Sequence, residues 1–172
     1  MTALVFLSIR AFHVLLASTW IGSTIFVSTL LMPDIETSGP SGGQVMMRID
    51  RRGIMAYMAV LDGTTVLTGL YLFWHFTGGF DPSVSTSHAG LAFGTGGVAG
   101  ILAGIIGGSV VGRGAKMATD LRSQAVGTTD EAAKGALMQR AAALGRRAKI
   151  GSHVVIALQA TALILMAVGH YV

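Results

Sequence analysis

The sequence predicts an all-α integral membrane protein, a single four-helix transmembrane bundle over residues 1–172, and three observations predict it. Hydrophobic residues make up 52% of the chain and charged residues only 12%, whereas a water-facing domain carries about 25% charged residues. A helix needs roughly 20 apolar residues to cross a bilayer core of about 30 Å, and four stretches qualify: Ala11–Leu31, Ile54–Trp74, Leu91–Val111 and Ile150–Gly169. The basic residues fall almost entirely in two of the three connections between these stretches.

The first helix, expected over about 3–32, starts outside the bilayer core, because the apolar segment Met1–Ile9 precedes the span. No basic region precedes that segment, so a cleaved signal peptide is not expected. The first connection contains Pro33 and the run Ser38-Gly39-Pro40-Ser41-Gly42-Gly43 and reads as irregular. A second helix is expected over about 50–76 and a third over about 89–122. Before the fourth, at about 130–171, Thr128-Thr129-Asp130-Glu131 matches a capping box. The Ala-rich stretch after it favours helix, so the fourth helix is expected to project from the membrane before entering it.

Arg48, Arg51 and Arg52 lie in the first connection. Arg113, Lys116, Arg122, Lys134, Arg140, Arg146, Arg147 and Lys149 lie in the third, and the second has no Lys or Arg. Positive charge marks the cytoplasmic side. The N and C termini are therefore expected on the outer side.

Several function classes drop out. The chain has no Cys, which removes thiolate metal sites and thiol nucleophiles. Its basic residues flank apolar runs instead of forming a polar, aromatic-rich face, so no nucleic-acid partner is expected. Gly94-Thr95-Gly96-Gly97 lies within an apolar helix with no strand before it, and a nucleotide loop fails on that context.

The histidines carry more information. At about 1.5 Å per residue, His13 lies roughly 12 Å outward of the midplane, His75 and His170 roughly 15–16 Å, and His88 a little further. Imidazole is a ligand for haem iron, copper and zinc. His13, His75 and His170 are therefore candidate cofactor ligands, and His13, His75, His170 and His88 are candidates for a metal. Met166, roughly 9 Å outward, is a lesser axial candidate. Arg10, Ala17 and Trp20 share the face of His13 by helical spacing, and Arg10 suits a haem propionate or a lipid phosphate. His153 lies roughly 10 Å on the cytoplasmic side.

Asp62 lies near the middle of the second span, where a carboxylate costs several kcal/mol unless paired or protonated. Gln159, His153 and nearby hydroxyls are its expected partners, and Asp62 with His153 reads as a proton relay. Gly96, Gly100, Gly104, Gly108 and Gly112 repeat every four residues along the third helix. That stripe permits close helix packing, against the chain itself, a membrane partner or a second copy.

Two segments resemble a known group of proteins. Arg10-Ala11-Phe12-His13-Val14-Leu15-Leu16-Ala17-Ser18-Thr19-Trp20-Ile21-Gly22 resembles the opening helix of small bacterial four-helix membrane proteins: the copper-resistance D family and the haem-containing protoporphyrinogen oxidases. Arg51-Arg52 and the run Leu67-Thr68-Gly69-Leu70-Tyr71-Leu72-Phe73-Trp74 are similar to their second helix. The resemblance implies a bundle with His13 as a haem b or copper ligand. Met32-Pro33-Asp34 and His88-Ala89-Gly90 stand where the oxidases carry Pro-Arg and Lys.

The function expected from all of this is haem b binding and electron carriage between a membrane or quinone partner and an outer acceptor. The alternatives are a copper or other metal-ion permease or sensor, and a non-catalytic assembly subunit.

Overall fold

A computed structural model describes residues 3–172. Helices α1 (Ala3–Thr37), α3 (Ile54–Phe76), α5 (His88–Val126) and α6 (Glu131–Val168) are each long and apolar enough to cross a membrane. Two shorter helices, α2 (Gly39–Arg51) and α4 (Pro82–Ser85), occupy the first and second connections. There is no strand among the described residues. Single π-helical segments interrupt α1 at Val27–Leu31 and α5 at Gly107–Gly112.

The four long helices pack in a ring: α1 on α3, α3 on α5, α5 on α6, and α6 back on α1. Each neighbouring pair runs antiparallel. His13 near the start of α1 meets Thr68 and Gly69 near the end of α3, while Gly96 and Gly114 of α5 meet Ala162 and Ala148 of α6. Both described ends and α4 therefore lie at one end of the bundle. The connections rich in Lys and Arg lie at the other.

The bundle is apolar outside and holds several polar side chains inside. Phe12, Leu15, Val60, Leu67, Val98, Ile105 and Ile164 are exposed, whereas His13, Thr24, Thr65, Ser152 and Gln159 are buried. Water would penalise that arrangement; lipid favours it, because hydrocarbon offers polar groups no partner and apolar groups no penalty. One residue from each long helix (Trp20, Leu61, Ala103 and Val155) builds the central cluster. Along α6 the buried Ala141, Ala148, Val155 and Ala162 recur every seven residues. A spacing of seven keeps one stripe on a neighbouring helix. On α5, Ala118 and Ala125 are buried in the same spacing, which extends α5 to Val126, past the expected end near Arg122.

Two local expectations are corrected. The run Ser38–Gly43, expected as irregular, lies mostly inside α2, which starts at Gly39. Pro40 stands in its first turn, where the missing N–H would have had no helical partner. At the start of α6 the cap is Asp130, whose carboxylate accepts the Ala132 N–H at 2.9 Å. Thr128 donates instead to the Gln124 carbonyl at 2.9 Å, closing the end of α5.

The α3–α5 turn is shaped by three consecutive residues with positive φ, Gly78, Gly79 and Phe80. Asp81 then caps α4, accepting from the Ser83 N–H at 2.8 Å and the Ser83 hydroxyl at 2.6 Å. Those two donors hold the Asp81 carboxyl below its ordinary 3.8. The cap is thus fully formed above that ordinary value and is lost as pH falls through the depressed folded value. Protection of the Ser83 amide against hydrogen exchange, relative to its intrinsic rate at each pH, should fall across that window in the wild type, and Asp81→Asn should flatten the profile.

Candidate functional site

The end of the bundle that holds the termini gathers most of the residues singled out in the sequence. His13 shares one face of α1 with Trp20 and Thr24, and all three are buried, His13 being 8% exposed. Its Nδ1 lies 2.9 Å from the Thr68 hydroxyl. That hydroxyl has one hydrogen and gives it to the Thr64 carbonyl at 2.7 Å, with the Thr65 carbonyl at 3.0 Å. With that hydrogen so placed, the Thr68 oxygen is free to accept from the Nδ1–H tautomer of His13. In that tautomer Nε2 keeps its lone pair, and a histidine orients a ligating nitrogen in this way, by donating through the other one. The ring rests on Gly69, where an added Cβ would stand 3.0 Å from His13 Cε1.

Arg10 and His170 meet across the α1–α6 seam, the guanidinium donating to His170 Nε2. The His170 ring stands edge-on to Phe93, with centroids 5.0 Å apart, and Phe93 is edge-on to Phe76 at 5.1 Å. His75 lies against Phe6 at 4.8 Å. His88, the first residue of α5, is exposed. Of the expected outer layer, then, the structure joins Arg10 to His170, seats His13 separately on α3, and places His75 on an aromatic of α1. Among the described residues, no three His, Asp or Glu side chains are grouped closely enough to hold one metal ion.

Asp62 takes none of the partners expected for it by name. Gln159, 1% exposed, donates through Nε2 to the Thr24 hydroxyl at 3.2 Å. His153 is exposed, and its Nδ1 bonds the Lys149 carbonyl at 2.8 Å. The Asp62 carboxylate instead presses on Gly104, where an added Cβ would lie 2.8 Å from the carboxylate carbon. Its Oδ1 is buried with no hydrogen-bond partner among the described residues, as are Thr65 Oγ1 and Gln159 Oε1.

The glycine stripe divides by the same geometry. Four residues advance about 400° around a helix, so the stripe drifts about 40° per step. Gly96 faces α6, with Ala162 O at 3.3 Å and Met166 Cγ at 3.4 Å from an added Cβ. Gly104 faces Asp62 and Gly112 faces Met55, both on the α3 side, while Gly100 and Gly108 meet nothing within 4 Å. Thr68 and Gly69 were visible in the sequence only as part of a short resemblance. Neither residue type announces a support for a histidine 55 positions away.

Comparison with protein-family models, curated proteins and solved structures finds no match.

Proposed function

We propose that this chain is a multi-pass protein of the bacterial cytoplasmic membrane that binds haem b near its outer end. It would carry electrons between a membrane or quinone partner and an outer acceptor. The observation that carries the reading is the His13–Thr68 pair: a buried imidazole seated on glycine with Nδ1 held at 2.9 Å from a hydroxyl, an arrangement suited to leaving Nε2 as the ligating atom. Haem iron needs only one or two protein ligands, which suits a histidine standing apart from the others. The resemblance of α1 and α3 to haem- and copper-binding four-helix membrane proteins supports the same reading.

In this assignment the haem supplies one-electron chemistry. The chain supplies position and environment. Thr68 fixes the His13 tautomer and ring orientation, and the Gly69 seat admits the ring close to α3. His75, or His170 through the nitrogen that Arg10 leaves free, would be the second ligand, and Arg10 would provide positive charge for a propionate. Positive connections at the opposite end of the bundle support a cytoplasmic position for that end.

The test is an oxidised-minus-reduced absorption spectrum of the detergent-purified chain, with pyridine haemochrome quantification. A b-type Soret and α-band at a stoichiometric haem content is the expected result. A colourless protein from haem-replete cells overturns the proposal.

A further inference from the structure

Asp62 is the group that haem binding leaves unused. Its carboxylate lies at one end of a groove between α3 and α5, with Gly63 and Val66 on one wall, Ile101 and Ile105 on the other, and Gly104 beneath. The groove holds about 400 Å³, within the range of small-molecule sites, about 300–1,000 Å³. Its rim is aliphatic and outward-facing: Leu67 is 68% exposed and Ile105 59%. Apart from the carboxylate, every side chain lining it is apolar.

We propose that this groove binds a lipid-soluble hydroquinone, its phenolic O–H donating to Asp62. Asp62 lines the groove, and its buried Oδ1 has no hydrogen-bond partner among the described residues, so the chain leaves this carboxyl group unsatisfied and a donor in the groove would complete it. No Lys or Arg lies within the apolar stretches Ala11–Leu31, Ile54–Trp74, Leu91–Val111 and Ile150–Gly169, so the chain offers no cation at this depth. The complement must therefore be a neutral donor, and an aliphatic rim at mid-span admits it from the lipid phase. A hydroquinone has the required parts: a flat ring to fit between the apolar walls, an O–H donor, and an apolar tail left in lipid. Asp62 and Gly69 are also seven residues apart on one face of α3, roughly 10 Å along its axis, which brings the headgroup near the His13 ring. The choice of a hydroquinone over other lipid-soluble donors rests on the electron-carrier reading; the existence of the site does not.

The experiment uses the full chain in lipid vesicles. Dicyclohexylcarbodiimide reacts with carboxyl groups that it reaches from the apolar phase, and peptide mass mapping locates the adduct. Asp62 is expected to be labelled, Asp62→Asn to lose that adduct, and rising decylubiquinol, kept reduced, to suppress labelling in a saturable way. Gly63→Leu fills the groove from a position where an added Cβ meets nothing within 4 Å, so it keeps the fold and is expected to abolish the protection. No adduct at Asp62 in folded protein overturns the proposal, and so does an adduct whose rate decylubiquinol leaves unchanged. The haem spectrum of the same vesicles separates the two readings. Protection in a colourless protein supports the groove and removes the electron carrier, whereas haem without protection does the reverse.

Discussion

His13→Ala is expected to purify as a folded helical protein with its b-type absorption lost. The imidazole is the only buried one in the described chain, and it is braced by two features of α3, the Thr68 hydroxyl and the Gly69 surface. On the haem proposal, removing the ring removes the proposed iron ligand. His13→Gln preserves much of the volume and guards against mere collapse; it too should lack the absorption while its melting temperature stays near that of the wild type. Thr68→Val keeps the ligand but deletes the oxygen that accepts from Nδ1. Losing such an orienting partner typically costs about 10–100-fold in affinity, so Thr68→Val should bind haem with a correspondingly raised dissociation constant and a shifted Soret band. Full haem occupancy in His13→Ala would sink the assignment of this ligand.

Gly96→Leu is expected to destabilise the bundle strongly, while Gly100→Leu, one turn away on the same stripe, leaves it nearly unchanged. At Gly96 an added Cβ meets the Ala162 carbonyl at 3.3 Å and Leu165 Cβ at 3.4 Å. The remaining leucine atoms have no space unless α5 and α6 separate. Overpacking of this kind typically costs about 1–3 kcal/mol and occasionally more. At Gly100 an added Cβ meets nothing within 4 Å, and leucine is the better helix former by up to about 1 kcal/mol. Thermal unfolding in a fixed detergent, followed by circular dichroism, would rank the two variants. Equal losses at both positions would mean that Gly100 packs against something beyond this chain, a partner or a second copy.

The helices were legible because their signals are local. A run of apolar residues, a basic cluster at its edge and a break near Pro or Gly can each be read without knowing what lies opposite. Where local signals competed, the sequence reading slipped. Thr128 and Asp130 both had the chemistry of a cap, and the choice fell to Asp130 once Thr128 was committed to the end of α5. Ser38–Gly43 had turn composition, yet a glycine and a proline at the start of a helix cost little, and the residues after them are helical.

Residue chemistry alone marked His13, Arg10, His75, His88, His170, Asp62 and His153 as worth attention, because a titratable group in an apolar run is conspicuous whatever it touches. Its partner is another matter. Depth placed Gln159 and His153 beside Asp62, but depth is one coordinate, and the rotation of each helix decides which side chains meet. The structure turns Gln159 toward Thr24 and His153 toward its own backbone, and it gives Asp62 a glycine and an open groove.

The sequence by itself determined four apolar helices, the polarity of their connections, and the conspicuous residues, since each of these depends on composition along the chain. Only the tertiary structure decided that Thr68 orients His13, that Arg10 reaches His170, and that one regular glycine stripe serves two neighbours and leaves two positions open. Those outcomes depend on the rotation and antiparallel register of helices joined by long connections. A shift of about 100° per residue is enough to exchange one contact for another without changing the hydrophobic pattern at all.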